Sequence, residues 1–357
     1  MGARVRGHDG LVGVAWVLAS VLLVPCQAQA AENDTANHPL LTGEWQTARE
    51  WRLANPLGPA PAFAPRSRWR STLDLKGDRR IALGTGSALS VHADAALTVL
   101  RDDGDANPVT SGRVNELYAS TGSDAWQLSA GRRIIGWDVG QGFRPNDVVQ
   151  REERRPLLPA TPQGRSVVQV EHFGADDATS LVWIDPQGGA TDRALALRHY
   201  RRFGALDVYG HAHWSAATRG NLGAALAWVA SDAVELHAST RWLPALGQHQ
   251  SLVGGSWTGG PDLTALAEVW QDGLASPSSA RRNVYGRLAW QHEGWQVSAD
   301  ALWQPGDGGR VLGAGLRWQG DQWRAEAVWR VLGGPASASL RRTPSRQTGA
   351  LALTRSF

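Results

Sequence analysis

The feature that most constrains this chain is a two-residue period in hydropathy that recurs along most of its length. In one segment Trp295, Val297, Ala299, Ala301 and Trp303 make one face, while Gln296, Ser298 and Asp300 make the other. The next segment sets Leu312, Ala314, Leu316 and Trp318 against Arg317 and Gln319. Earlier, Val234, Leu236, Ala238 and Trp242 oppose Glu235, His237, Ser239 and Arg241, and Leu206, Val208, Ala212 and Trp214 oppose Asp207, Tyr209, His211 and His213. The same rhythm holds near the start, where Val91, Ala93, Ala95, Leu97 and Val99 alternate with His92, Asp94 and Thr98. Successive side chains point to opposite faces only in extended backbone, so these are strands with one apolar and one polar face.

A soluble antiparallel sandwich alternates in the same way. Two observations favour a membrane barrel instead. The polar faces carry several charged or long groups per strand, including Asp207, His211, His213, Glu235, Arg241, Arg287, Asp300 and Arg317, which suits a water-filled lumen better than a packed core. The outward tryptophans also sit at strand ends. Trp228, Trp257, Trp290, Trp295, Trp318 and Trp323 lie beside short turns, and Trp214, Trp242 and Trp303 lie at the opposite ends, as two aromatic girdles would. The fold expected is all-β, a transmembrane antiparallel up-and-down β-barrel.

The two ends of the chain fit that reading. Arg4 and Arg6, an apolar run over 11–24 and the small residues Ala28 and Ala30 read as a signal peptide over residues 1–30. The run is shorter than the roughly twenty residues a spanning helix needs. Cys26 follows Pro25, where a lipoprotein signal wants a small residue, and it is the only cysteine. Cleavage after Ala30 would therefore leave no thiol or disulfide chemistry. The last residues alternate up to Phe357, which resembles the C-terminal strand signal recognised by barrel-assembly machinery, although Arg355 stands where an apolar residue is usual. The expected location is the outer membrane of a Gram-negative cell.

Composition excludes more than it selects. The net charge of +3 is small and almost all the positive charge is arginine, Lys76 being the one lysine. A nucleic-acid binder would show a clustered basic face instead. About 327 residues remain after cleavage, enough for one large barrel.

If the final strand runs toward the periplasm, alternate connections fall on alternate sides. Gly320-Asp321, Glu293-Gly294, 259–261, Ser231-Asp232, Phe203-Gly204 and 174–177 then face the periplasm, and the longer 333–346, 305–308, 273–280, 244–248 and 186–191 face outward. Short periplasmic turns and long outer loops are the rule for bacterial barrels. The count comes to about eighteen strands, with sixteen as the alternative. The first pair, over 69–75 and 80–83, is the least regular. Residues 31–66, Pro- and Ala-rich with a short amphipathic helix expected over 44–54, read as a periplasmic arm ahead of a barrel over 67–357. Nothing on the outward faces singles out an interface for an oligomer, so the oligomeric state stays open.

One segment breaks the rhythm. Residues 132–164 have no alternation, are rich in glycine and charge, and fall on the outer side. Structureless connections over thirty residues are uncommon and usually functional. We expect this segment to fold into the lumen and narrow it, with Arg132, Arg133, Arg144, Arg151, Arg154 and Arg155 facing Asp138, Asp147, Glu152 and Glu153. Six bases against four acids predict a slight anion preference. The run from Gly131-Arg132-Arg133 through Trp137, Gly140 and Pro145-Asn146-Asp147 resembles a stretch of alginate-export-type and related porin-like outer-membrane proteins. That resemblance implies a barrel of about eighteen strands with an arginine-rich lumen that passes polar or anionic solutes.

The expected partners are the lipid bilayer and small polar solutes, with no cofactor. Neither a phosphate-binding glycine loop, a nucleotide fingerprint nor a Cys/His metal spacing is present. The nearest approach to a catalytic constellation is Asp207, His211 and His213 on one strand face, as an outer-membrane hydrolase would need at its rim. Any lumen wall contains such a trio. A surface or assembly scaffold is the remaining alternative to a channel.

Overall fold

A computed structural model of the chain describes residues 40–58, 65–84, 87–150, 155–158, 161–189 and 193–357. The expected signal peptide lies outside these residues, as do Arg151, Glu152, Glu153 and Arg154 of the long connection. The strands are β1 (Leu40–Ala54), β2 (Ser67–Gly84), β3 (Ser87–Asp102), β4 (Val109–Gly122), β5 (Trp126–Arg133) and β6 (Arg165–Phe173). They continue with β7 (Asp177–Ile184), β8 (Ala194–Phe203), β9 (Leu206–Ser215), β10 (Arg219–Ser231), β11 (Val234–Leu243) and β12 (Gln248–Gly259). The last are β13 (Leu263–Asp272), β14 (Arg282–His292), β15 (Trp295–Gln304), β16 (Gly309–Gln319), β17 (Trp323–Gly333) and β18 (Ser345–Ser356). Each pairs antiparallel with its neighbours in sequence, and β1 pairs with β18 as well as β2, which closes the sheet into an up-and-down barrel. Eighteen strands spaced about 4.8 Å apart and tilted about 40° close into a ring about 36 Å across, backbone to backbone.

Closure leaves no edge with unpaired backbone groups, the condition for a sheet to stand in hydrocarbon. The alternation in each strand divides outside from lumen. In β15 Trp295, Val297 and Trp303 are exposed while Leu302 and Gln304 are buried. At one end of the barrel the connections are two or three residues long, as at 204–205, 232–233 and 293–294. The turn at Glu293-Gly294 has φ of 46° and 82°, the paired left-handed conformation that matches the twist of a tight hairpin. At the other end lie 103–108, 185–193, 273–281, 334–344 and, longest, 134–164.

Tryptophans ring both ends. Trp228, Trp257, Trp290, Trp295, Trp318 and Trp323 lie toward the short turns, joined by Trp45 and Trp126. Trp214, Trp242 and Trp303 lie toward the long loops, joined by Trp51, Trp69 and Trp183. Trp295 and Trp303 terminate one strand, about 27 Å apart along it and about 20 Å along the barrel axis, close to the height of an outer-membrane apolar band. Trp137 and Trp270 are different, being inside the lumen and 4% and 6% exposed.

Two expectations about the start of the barrel are corrected. Residues 44–54 are not a helix in an arm but most of β1. Leu41, Trp45, Trp51 and Leu53 are exposed on its outward face, and Ala48 and Glu50 are buried on the other. The segment has few β-branched residues, but β18 and β2 pair with it along its length on either side, and such context overrides propensity. Residues 69–75 and 80–83 are not two strands but parts of β2, which runs unbroken through the charged stretch Lys76–Arg80 beside β3. The eighteen strands are therefore reached with a different first pair.

Candidate functional site

The connection from β5 to β6 enters the lumen and crosses it. It leaves the wall where Ile134 N donates to Glu116 Oε1 at 2.8 Å. Ile135, Trp137 and Val149 then pack on an apolar patch formed by Val167, Val182, Ile184, Ala194 and Ala196 of β6, β7 and β8. These wall residues belong to the lumen face, which elsewhere is polar, and the connection covers them.

Two aspartates shape the next turn. Asp147 accepts hydrogen bonds from Trp137 N at 2.7 Å and Asp138 N at 3.3 Å, and lies 3.7 Å from Arg144. Asp138 accepts from Asn146 N at 2.6 Å and from Ser239 Oγ at 2.8 Å. Arg144 also donates to the carbonyl of Gly140. These charges hold the segment's own turn and, through Ser239, tie it to β11, and they do not face one another across an opening.

The segment then docks on the opposite wall. Glu268 of β13, 1% exposed, accepts Gln141 N at 2.7 Å and Gly142 N at 2.6 Å and shares a hydrogen bond of 2.9 Å with His237 Nε2. Asn146 Nδ2 reaches Ser239 Oγ at 2.9 Å and the carbonyls of Thr240 and Ala224 at 3.2 and 3.3 Å. The close approach depends on Gly223, where a Cβ would lie 1.8 Å from Asn146 Oδ1. Phe143 stacks on Trp270, centroids 5.8 Å apart. Arg241 Nη1 donates to the carbonyl of Pro145 at 3.4 Å, and its Nε to Asn221 Oδ1 at 2.9 Å.

Beyond the undescribed residues the chain returns along the far wall. The Arg155 guanidinium lies over the rings of Tyr285 and Trp270, 5.5 and 5.8 Å from their centroids, and burial lowers its pKa below the usual arginine value. Its carbonyl accepts Arg330 Nη1 at 2.8 Å. Leu158 packs on Ala48, Ala350 and Ala352 of β1 and β18, and Thr161 Oγ1 donates to Asp74 of β2 at 3.0 Å.

Beside Arg155 lies a lumenal cavity of about 250 Å³, with Arg155, Arg287, Arg317, Arg330, Asp300 and Glu326 in its lining. Arg317 is paired with Glu326 at 2.8 Å. Among the described residues, Arg155, Arg287 and Arg330 form no ion pair within 4.0 Å.

Of the remaining residues singled out in the sequence, Arg133 points inward. It bonds Ser129 and Gln169 at 3.0 and 2.8 Å and lies 3.5 Å from Glu171. Arg132 shares the outward register of Leu128 and Ala130 and borders a recess with Leu117 and Val168, so it does not face the lumen as expected. The flanking strand, with its two-residue period, necessarily turns one arginine of the pair outward. Asp207 is held by Tyr200 Oη at 2.9 Å and Arg202 at 3.2 Å. His213 bonds Asn221 at 3.0 Å. His211 sits 6.2 Å from the ring of Trp137, and neither of its ring nitrogens has a hydrogen-bond partner among the described residues, so no hydrogen bond couples it to Asp207. Glu235, Arg287, Asp300 and Arg317 lie on inward positions of their strands. Glu268, His237, Asn146, Ser239, Trp270 and Arg330 were missed as parts of the site. One signal was available, since Trp270 stands on the polar face of its strand.

No family model and no curated protein matches the sequence. Solved structures do. Two substituted forms of the Rhodopseudomonas blastica porin each align with 90% of this chain and 100% of their own, both at TM-score 0.51, one 15% and one 14% identical. A third, described as "Asymmetric conductivity of engineered proteins", has the same coverage, TM-score 0.52 and 16% identity. The chain has the fold of a porin. In this barrel, the β5–β6 connection divides the lumen and is fixed to the wall on both sides.

Proposed function

We propose that the protein is an outer-membrane channel that passes small polar solutes, with an aperture set by the β5–β6 connection. One observation carries this reading. A segment of about thirty residues crosses the lumen and is held at the far wall by Glu268, Asn146 and Phe143. A barrel about 36 Å across would be unselective without such a division. The two tryptophan girdles fit insertion in a bilayer, and residues 1–30 with the strand ending at Phe357 fit export and barrel assembly.

Selection is by size and by charge, with no chemistry performed on the solute. Of the charges expected to face an opening, Asp138, Arg144 and Asp147 are engaged in the turn. The anion preference therefore rests on Arg155, Arg287 and Arg330, which outnumber Asp300, a carboxylate in the same cavity with no ion pair among the described residues. Rings of arginine favour anions.

Single-channel recording of the refolded protein in a planar bilayer, with a salt gradient, tests both parts. Steady ohmic steps with an anion-shifted reversal potential are expected. A cation-shifted reversal overturns the charge assignment. Silence from folded, inserted protein overturns the channel.

A further inference from the structure

The lipid-facing side of the barrel carries a groove that channel function does not use. Two rows of outward side chains form it, each following the hydrogen-bonded register across five strands. One row runs Leu316, Ala327, Leu351, Arg49 and Trp69, from β16 to β2. The other runs Trp295, Trp318, Ala325, Leu353 and Thr47, from β15 to β1. Each row spans four strand spacings, roughly 19 Å. Ala325, Ala327 and Thr47 are small and make the floor, while the tryptophans and leucines rise on either side, leaving about 540 Å³. Strand tilt carries the rows obliquely from the short-turn girdle, at Trp295 and Trp318, toward the long-loop girdle at Trp69.

Arg49 stands at that upper end as the one charged outward side chain among the described residues lining the groove. Its guanidinium lies 5.8 Å over the ring of Trp51, and its Nε donates to Ser67 Oγ at 3.4 Å. No carboxylate among the described residues pairs with it within 4.0 Å. A charge on the lipid face is unfavourable unless it reaches the interface or finds a counter-charge, and Arg49 lies only two positions inside Trp51. An apolar groove in hydrocarbon gains nothing from the hydrophobic effect, since lipid tails are as apolar as leucine. Shape and the charge at one end therefore decide what occupies it.

We propose that this groove binds one anionic phospholipid of the leaflet on the long-loop side, with the phosphate on Arg49 and one acyl chain along the alanine floor. The length of the groove, its oblique course from headgroup level into the apolar band and its single cation at the headgroup end match that occupant. The proposal concerns the outer wall and stands whether or not the lumen conducts.

Native mass spectrometry of the protein released from nanodiscs of equimolar phosphatidylglycerol and phosphatidylcholine tests it. The unsubstituted protein is expected to retain phosphatidylglycerol in preference by about fivefold, the size of one arginine at an anionic surface. Arg49→Gln is expected to bring the ratio to parity, with heat-modifiable migration on gels reporting that the barrel still folds. Ala327→Leu fills the floor without touching the charge and is expected to lower retention of both lipids. Parity in the unsubstituted protein overturns the proposal, as does an unchanged ratio in Arg49→Gln. A lipid-free mass of two or more chains that Ala327→Leu reduces to one also overturns it and assigns the groove to self-association. Should Arg49→Gln fail to fold, full lipid retention by Ala327→Leu overturns the proposal on its own.

Discussion

At the scale of single residues, the site depends on a buried carboxylate and a missing side chain. Glu268 accepts two backbone amides of the crossing segment and has no solvent to replace them. In Glu268→Gln one of those amides faces a donor rather than an acceptor. We expect docking of the segment to weaken by about 2 kcal/mol, roughly thirtyfold in its population of undocked states. Faster amide exchange at Gln141 and Gly142, with noisier single-channel current, is the readout. Unchanged exchange would mean that Phe143 and Asn146 suffice. Gly223→Ala places a Cβ on Asn146 Oδ1 and should release the same segment from β10 and β11 while leaving the barrel closed. A third residue concerns the outer loops. Burial pushes the Asp307 carboxyl up, but hydrogen bonds from Ser339 N, Gly309 N and the hydroxyls of Ser339 and Ser279 outweigh it, and its pKa lies below the ordinary aspartate value. A group depressed on folding adds stability above its unfolded pKa and loses it as pH falls through the folded one. Proteolytic resistance of the connections at 305–308 and 334–344 should therefore fall below about pH 4. In Asp307→Asn that dependence should disappear.

At the scale of elements, the connection over 134–164 and the strand β1 behave in opposite ways. The connection was marked in the sequence by what it lacks, since no two-residue period could be traced through it. Its destination was not marked. Trp137 and Val149 find β6 to β8 because those strands turn apolar residues to both faces near their outer ends, a run read as strand and not as a docking patch. Deleting 137–158 removes the crossing but no barrel strand, and conductance should at least double with the barrel still heat-modifiable. Equal conductance would place the constriction elsewhere. For β1 the sequence misled. Half of the strand's pairing comes from β2, beyond a proline- and alanine-rich connection, and half from β18 at the far end of the chain. Contacts of that span leave no local trace.

At the scale of the whole molecule, charge sign and barrel closure act together. Replacing Arg155, Arg287 and Arg330 by glutamine removes three positive charges from one cavity and leaves Asp300 there. The reversal potential in a salt gradient should then move toward the cation side, more so at low ionic strength where screening is weak. An unmoved reversal would show that the ions pass elsewhere in the lumen.

The sequence by itself determined that this chain alternates, closes about eighteen strands and keeps short turns at one end. Those properties follow from local steric periodicity and from the rule that backbone in hydrocarbon must pair. Tertiary structure alone decided which arginines reach the lumen, which of Arg132 and Arg133 faces it, and that Asp138 and Asp147 are engaged in a turn. It also decided that Arg49 and two alanines meet on the outer wall, from strands brought to either side of β18 only by closure of the barrel. The docking of the segment and the outer groove depend on contacts between residues a hundred or more positions apart, and the turn depends on the side-chain hydrogen bonds of Asp138 and Asp147, none of which hydropathy along the chain encodes.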